Sequence, residues 1–341
     1  MTFPGLGIGE FSVNKVAFTL FGREVRWYGL IITLGMILAV AYSIWRAKTT
    51  AGSHFKTDDV LDIAIALIIA GVVGARLYYV IMSWKEMGYN SFLDVIAVWN
   101  GGLAIYGGII GGFIALYIVC RVKKKSPWEM LDYAGPSVML AQAIGRWGNF
   151  FNGEAYGYEV AEGSPLFFMR MGISPNIFSS QMAYVHPTFL YESLWNIVGF
   201  VLINIFYKKK KFDGQIFLEY LAWYGFGRMF IEGLRSDSLY IFGTVRVSQL
   251  VGLLCFVGSV ACIIVLLVRE RKKAVAAVAE ENEPAGEPLE EAPEEDTEEI
   301  PEEEIGEADE ENAEEAQEMT EESEESEPDM AEDEQNDGST D

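Results

Sequence analysis

A cluster of polar residues closes a long apolar run in the middle of the chain. The stretch 142–157 reads QAIGRWGNFFNGEAYG. On a helix, Gln142, Arg146 and Asn149 share one face because they are spaced at i, i+4 and i+7. A charged side chain at membrane depth costs at least about 2.5–3.5 kcal/mol on insertion scales, so such residues tend to be retained for function. The alternative is a helix end with snorkelling side chains and a glycine-rich turn.

A second polar cluster ends a later apolar run, GFGRMFIEGLR. There Arg228, Glu232 and Arg235 have the same spacing and therefore also share a helix face. The guanidinium group is a fixed fork of donors that matches phosphate, and asparagine or tyrosine side chains can hydrogen-bond a polyol. Together these residue types predict a site for a phospholipid headgroup. Taken alone, Arg228 and Glu232 are equally compatible with an intrahelical ion pair.

The charge distribution divides the chain into two parts. The chain has 341 residues, half of them hydrophobic, and a net charge of -25. From Ala274 onward there are 32 of the 50 acidic residues and no lysine or arginine, so the preceding part carries a net charge of +7. The Glu-rich segment has too few apolar residues to offset the entropy cost of ordering. We therefore predict an apolar body followed by a disordered acidic tail.

The body contains seven apolar runs of the length expected for membrane-spanning helices. They cover about residues 27–45, 60–82, 101–120, 130–148, 188–207, 214–232 and 247–268. This pattern predicts an all-α polytopic membrane protein with seven transmembrane helices. No nucleotide-binding loop, nucleic-acid-binding feature or metal-ligand spacing is visible, and the two histidines lie far apart in sequence. We therefore predict no cofactor, no metal site and no nucleic-acid partner.

Lysine and arginine set the expected orientation of these runs. Fifteen of these residues follow the first, third, fifth and seventh runs, and seven lie on the opposite side. The positive-inside rule then places the N-terminus outside and the C-terminus in the cytoplasm. The predicted organisation is an extracytoplasmic or interfacial segment at 1–27, a membrane-embedded catalytic body at 28–272 and a disordered cytoplasmic tail at 273–341.

This topology places the unusual polar residues of six runs at one depth, the outer leaflet. They are Tyr28, Arg76, Tyr106, Arg146, His186 and Arg228. Independent placement would scatter such residues over both leaflets. The expected ligand is a phospholipid headgroup that enters sideways from the outer leaflet. A phospholipid transporter or flippase, or a membrane scaffold that uses its acidic tail, are the alternatives, although no inverted repeat supports transport.

Several of these motifs match one known family. The run GRWGNFFNGEAYG, residues 145–157, resembles the signature of the prolipoprotein diacylglyceryl transferases. The similarity extends to RWYGLII, WNGGLAIYGGIIGG, HPTFLYE and GRMFIEGLR. It covers about residues 15–270 and does not include the tail.

The resemblance implies an activity, a location and partners. Members of that family transfer the diacylglyceryl group of phosphatidylglycerol to the lipobox cysteine of a lipoprotein precursor, which is held in the membrane by its signal peptide. The products are a thioether-linked lipid and glycerol phosphate, in the first step of lipoprotein maturation. The expected location is the bacterial plasma (inner) membrane, with the active site at the extracytoplasmic leaflet.

The resemblance also implies site residues. The expected catalytic residues are Tyr28, Arg146, Asn149, Glu154, His186 and Arg228. The expected phosphatidylglycerol-binding residues are Tyr106, Arg146, Asn149, Asn152, Gly157, Arg228, Glu232 and Arg235. Many members have a histidine where this chain has Tyr106, so we expect Tyr106 to bind substrate. The group that accepts the thiol proton stays open among His186, Glu154 and Glu232.

Overall fold

The computed structural model describes residues 1–89, 91–174, 182–241 and 243–281. Its helices within these ranges are α1 (Trp27–Thr49), α2 (Thr57–Met82), α3 (Trp84–Met87), α4 (Phe92–Ile96), α5 (Ile105–Val122), α6 (Pro127–Asn152), α7 (Thr188–Phe206), α8 (Gln215–Leu234) and α9 (Val247–Glu281). Its strands pair as antiparallel hairpins, which are β1 (Val16–Leu20) with β2 (Arg23–Arg26), β3 (Met171–Ile173) with β4 (Ala183–Val185), and β5 (Tyr240–Ile241) with β6 (Val245–Arg246). The described residues are therefore mainly helical.

Helix length and composition support a helical membrane protein. Among the described residues, five helices are long and apolar enough to cross a membrane, namely α1, α2, α5, α7 and α9. Helices α6 and α8 contain 26 and 20 residues, which is long enough, but they are not among the helices that reach the hydropathy expected of a membrane span. The polytopic helical architecture is thus confirmed, and the count of seven spans stays a prediction.

The polar side chains of α6 are explained by its position. Helix α6 packs against α1, α7 and α8, and it buries residues along its whole length. Side chains that face other helices instead of lipid can be polar when they find partners there. Helix α8 is covered in the same way by α6, α7 and α9. The two long helices that are not among the five membrane-span candidates are therefore the ones whose polar side chains can meet inside the protein.

Helices α2 and α5 pack closely through glycines. A Cβ atom on Gly74 would lie 2.4 Å from the carbonyl oxygen of Gly107, and one on Gly107 would lie 2.3 Å from that of Gly74. Such backbone contact needs small residues on both helices, as in many membrane helix pairs. Arg76 of α2 donates hydrogen bonds to backbone carbonyl oxygens of the segment between these helices.

The end of α9 differs from the expected domain boundary. The tail was expected to begin at residue 273, but α9 continues to Glu281. The added residues include the alanine-rich sequence AVAAVAEE, and alanine and glutamate have high helix propensity. Local propensity therefore carries the helix beyond its last apolar turn. The predicted disorder of residues 282–341 lies outside the described residues.

A buried polar network lies at the end of α6 that is far from Arg146. The Asp132 side chain is fully buried and accepts hydrogen bonds from Lys210 Nζ at 2.8 Å, Gly214 N at 2.9 Å and Phe217 N at 3.1 Å. Asp132 precedes Arg146 by 14 residues, which is about 21 Å along a helix. This carboxylate therefore fastens the connection between α7 and α8 to the core, at a distance from the arginine cluster.

Replacing Asp132 with alanine is expected to lower the free energy of unfolding by about 3–5 kcal/mol. The change leaves a partly buried ammonium and two backbone N–H groups without their acceptor. Unfolding of the purified protein in detergent measures the effect. Asp213→Ala is the matched control, since Asp213 also pairs with Lys210, at 2.9 Å, but is half exposed and is expected to contribute about 0–1 kcal/mol. Equal small effects of both changes would contradict the assigned role of Asp132.

Candidate active site

Two arginines from different helices meet at one carboxylate. Glu192, in the second turn of α7, accepts a hydrogen bond from Arg228 Nη1 of α8 at 3.0 Å. Its other oxygen pairs with Arg146 Nη2 of α6. The Glu192 side chain is 3% exposed, whereas that of Arg146 is 20% exposed. The three helices thus place two guanidinium groups side by side, with the carboxylate behind them and part of Arg146 accessible.

The ion-pair chain continues along α8. Glu232, one turn after Arg228, pairs with it at 2.5 Å and lies 3.9 Å from Arg235 Nε. Arg235, which caps the end of α8, donates two hydrogen bonds to Asp237, at 3.0 and 2.9 Å. Arg228 and Glu232 therefore form an intrahelical pair on one face of α8, whereas Arg235 follows the helix in an extended conformation and joins the chain of charges from there.

At the end of α6, the side-chain amides of Asn149 and Asn152 orient the Glu154 carboxylate. Helix α6 ends at Asn152, and the next residue, Gly153, has a φ of +61° that suits glycine and turns the chain back on the helix. This turn brings Glu154 Oε1 within 3.1 Å of Asn149 Nδ2 and 3.2 Å of Asn152 Nδ2. Asn149 in turn accepts a hydrogen bond from Arg146 Nη1 at 3.3 Å. Of the polar residues in 142–157, Arg146, Asn149, Asn152 and Glu154 are thus connected by hydrogen bonds, whereas Gln142 donates to the Tyr220 hydroxyl at 3.1 Å.

His186 and Gly157 link the loop after α6 to the start of α7 and the end of α8. Gly157 N donates to His186 O at 2.9 Å, and Tyr158 N donates to Leu234 O at 2.9 Å. The His186 ring lies 3.2 Å from the Tyr191 hydroxyl, measured from Nδ1. Burial lowers the pKa of His186 below its ordinary value of 6.5. The imidazole is therefore neutral at pH 7.

The close approach at Gly157 leads to a prediction. A Cβ atom there would lie 2.6 Å from Leu234 O and 2.7 Å from His186 Cβ. Gly157→Ala is therefore expected to cost about 1–3 kcal/mol of stability by overpacking, and to reduce activity because it moves this loop. Thermal unfolding and transfer assays measure both effects. Gly9→Ala is the control, since nothing lies within 4 Å of its Cβ position. An equally large loss of stability in Gly9→Ala would contradict overpacking as the cause.

The two predicted tyrosines lie outside the ion-pair chain. Tyr28, in the first turn of α1, packs against Gly148 of α6, where a Cβ would lie 2.9 Å from the Tyr28 ring. The Tyr28 ring therefore packs against α6 at a position two residues after Arg146. Tyr106 begins α5, which packs chiefly against α2. Among the described residues, neither tyrosine hydroxyl has a hydrogen-bond partner, so both roles stay predictions.

Arg76 has a different role from the one its depth suggested. Its guanidinium group donates to four backbone carbonyl oxygens in the segment that joins α2 to α5, all at 2.6–3.1 Å. These acceptors are Asp94, Val95, Gly101 and Gly102. A guanidinium group with so many internal acceptors has few donors left for a ligand. Arg76 therefore fixes a connecting segment.

Glu192 is the residue that sequence reasoning missed. It is the only charged residue in the fifth apolar run, TFLYESLWNIVGFVLINIFY. An ionisable residue at that depth is by itself a functional-site signal. The local sequence pattern, however, does not indicate that its partners are Arg146 and Arg228, which lie 46 and 36 residues away.

An apolar groove runs between α1, α2 and α6. It has a volume of about 400 Å³. Its lining extends from Val60 and Met130 to Gln142 and Gly145. Gly145 immediately precedes Arg146 in the chain, but consecutive residues of a helix point in different directions, and the arginines and Glu192 do not line the groove. The groove is therefore an apolar surface on the side of α6 that faces α1 and α2.

Comparison with known proteins agrees with this arrangement. The sequence profile described as prolipoprotein diacylglyceryl transferase matches residues 15–265. A phosphatidylglycerol–prolipoprotein diacylglyceryl transferase of Enterococcus faecalis is 47% identical over 266 residues, which cover 76% of this chain and 92% of that protein. Proteins of the same name from Staphylococcus aureus and Streptococcus equi subsp. zooepidemicus are 43% and 42% identical, over 76% and 77% of this chain and 91% and 98% of their own lengths. The resemblance of the sequence motifs is thereby confirmed, and the chain belongs to the prolipoprotein diacylglyceryl transferase family.

Proposed function

We propose that the protein is a membrane enzyme that transfers the diacylglyceryl group of phosphatidylglycerol to a cysteine thiol of a prolipoprotein. In this reaction the thiolate sulfur attacks the glycerol carbon that bears the phosphate ester. A C–S bond forms and the C–O bond to phosphate breaks. The bonding electrons leave on the phosphate oxygen, and glycerol phosphate is released. The thiol proton passes to a basic group of the enzyme or to water.

The pair formed by Arg146 and Arg228 is the observation that carries this proposal. Negative charge develops on the leaving phosphate, and two guanidinium groups from different helices are already oriented next to each other. Donors that are preorganised for such charge contribute about 2.7–4 kcal/mol each, by analogy with oxyanion holes. Glu192 keeps the like-charged arginines together before substrate binds and partly neutralises them. The phosphate then uses N–H donors on the exposed side of Arg146.

The amide-oriented carboxylate suits the headgroup. Glu154, exposed and held by Asn149 and Asn152, can accept hydrogen bonds from the glycerol hydroxyl groups of phosphatidylglycerol. Glu232 and Arg235 extend the polar surface from Arg228 toward the end of α8. The groove between α1, α2 and α6 provides an apolar surface for an acyl chain. The proposal thus assigns the headgroup hydroxyls to Glu154, the phosphate to the arginines and an acyl chain to the groove.

His186 is the candidate we favour for accepting the thiol proton. A thiol has an ordinary pKa near 8.5, so attack at neutral pH needs a base or a positive environment. Glu232 is 2% exposed and already paired with Arg228, which makes it a weak acceptor. His186 is neutral at pH 7 because burial lowers its pKa, and a neutral imidazole is the form that can take a proton. Tyr28 and Tyr106 are assigned to positioning substrate.

The pH dependence of transfer tests His186. Because its pKa is lowered, wild-type kcat/KM is expected to hold as pH falls through 6.5 and to decline only below that value. His186→Gln is expected to lose activity about 100-fold or more and to lose this acidic decline. Glu154→Gln is the comparison and is expected to keep it. If His186→Gln retains both the rate and the decline, the base is another group.

The topology belongs to the same proposal. We infer seven spans, an outer N-terminus and a cytoplasmic C-terminus in a bacterial plasma membrane, with the active site at the extracytoplasmic leaflet. Supporting this are the lysine and arginine bias of the loops and the position of the site residues, at the ends of α6 and α8 and the beginnings of α1 and α7. The precursor would be recognised through its signal peptide and lipobox cysteine.

Transfer by purified protein is the direct test. The full chain in nanodiscs is given phosphatidylglycerol and a lipobox peptide, and mass spectrometry follows the peptide. The expected result is a mass increase of one diacylglyceryl group, dependent on the peptide cysteine. Movement of headgroups across the bilayer without a thioether product would favour a transporter or flippase. Folded protein that gives neither result would favour a membrane scaffold.

A further inference from the structure

The β1–β2 hairpin is joined directly to the first membrane-spanning helix. Strand β2 ends at Arg26 and α1 begins at Trp27, whose N–H donates to Lys15 O at 3.1 Å across the base of the hairpin. The strands pair with Phe18 opposite Val25, Thr19 opposite Glu24 and Leu20 opposite Arg23. The hairpin is therefore anchored at the point where the chain enters the bilayer.

The two faces of this hairpin differ in polarity. Side chains alternate along a strand, so Phe18, Leu20 and Val25 share one face and Thr19 and Glu24 share the other. Phe18 is 48% exposed and Leu20 is 51% exposed. A two-stranded hairpin is at most marginally stable in water unless its apolar face packs on something. Among the described residues, this apolar face is left largely uncovered.

The turn of the hairpin has an unusual residue. Phe21 and Gly22 both have positive φ, of +49° and +76°, as in the type I′ turn that favours asparagine, aspartate or glycine at its first position. A bulky aromatic residue with positive φ is rare and needs an explanation. The Phe21 side chain is also 98% exposed, so contacts within the protein do not stabilise it there.

We propose that this hairpin lies on the outer surface of the lipid bilayer, with Phe18, Leu20 and Phe21 in the boundary between headgroups and acyl chains. Its direct continuation into α1 keeps it at the membrane surface. Between Lys15 and Arg26 it carries three basic residues and one acidic residue, which favours anionic phospholipids. Arg23, opposite Leu20 on the apolar face, can extend its guanidinium group to the phosphates. The same aromatic and basic pattern is typical of interfacial membrane anchors.

Site-directed spin labelling tests this placement. The three native cysteines are replaced by alanine, and nitroxides are attached to Leu20→Cys and Thr19→Cys, neighbours on opposite faces of β1. Val25→Cys and Glu24→Cys form a matched pair on β2. The protein is placed in nanodiscs of phosphatidylglycerol and phosphatidylcholine, and collision with oxygen is compared with collision with a water-soluble nickel complex. Labels at 20 and 25 are expected to collide more often with oxygen, and labels at 19 and 24 to collide more often with the nickel complex.

Two outcomes would overturn the proposal. If all four labels collide freely with nickel, the hairpin projects into water. If the labels at 20 and 25 become shielded from both reagents only when a lipobox peptide is added, the apolar face binds the precursor protein instead of lipid. This readout does not depend on transfer activity.

Phe21→Asn separates a role in the turn from a role in the membrane. Asparagine suits the positive φ better, so the hairpin itself should fold at least as well. If Phe21 anchors the hairpin in lipid, the Leu20 label should move toward the aqueous phase in this variant. An unchanged depth would show that Phe21 does not contribute to the anchor.

Discussion

Arg146→Ala is expected to lower the turnover of diacylglyceryl transfer by about 100-fold or more while the protein remains folded. Arg146 is the more exposed of the two arginines that share Glu192, so under the proposed function it is the one expected to reach the substrate phosphate most directly. Removing one preorganised donor to a developing negative charge costs about 2.7–4 kcal/mol in comparable sites. The loss should fall mainly on kcat, because the charge on the leaving oxygen is greatest in the transition state.

Two further variants define the cause of this loss. Arg146→Lys keeps the charge but loses the planar fork, and it should recover only part of the activity. Arg121→Ala is the control, since Arg121 lies at the far end of α5, where it contacts the Tyr117 ring, and it should leave transfer unchanged. Full activity of folded Arg146→Ala would refute the assignment of Arg146 to the phosphate.

Glu192→Gln is expected to reduce both stability and turnover. The glutamine has nearly the same volume, but it leaves two partly buried guanidinium groups without their shared counter-charge. Breaking a buried ion pair by removing one partner typically costs about 3–5 kcal/mol. The arginines should also separate, so a turnover loss on the order of 100-fold is expected, comparable to the loss of one donor. Thermal unfolding and transfer assays on the same preparation measure the two effects.

Glu219→Gln is the matched control for Glu192. Glu219 lies on α8, lines an apolar groove and accepts a hydrogen bond from Gln215 Nε2 at 2.8 Å. It has no arginine partner among the described residues, so its replacement should change turnover little. A double-mutant cycle of Glu192→Gln with Arg228→Gln should show coupling of at least about 1 kcal/mol. Additive effects in that cycle would contradict the role of Glu192 as the bridge.

Local sequence determined where the helices lie and which residues are unusual. Apolar length located the membrane helices, because burial in lipid needs a long uninterrupted apolar run whatever its neighbours are. The i, i+4, i+7 spacing placed Arg146 with Asn149, and Arg228 with Glu232, on single faces, since helical periodicity alone decides that. The motif in residues 145–157 indicated the family before any tertiary contact was known.

Only the tertiary structure decided which partners these residues have. Glu192 bridges arginines on two other helices, and Arg76 binds backbone carbonyls instead of facing the site. The predicted depth was the same for Arg76 and Arg146, so depth did not distinguish their environments. Partner choice depends on which helices pack together, and α6 packs with α7 and α8 whereas α2 packs with α5. Helix periodicity fixes the face that a residue occupies, and packing fixes what that face meets.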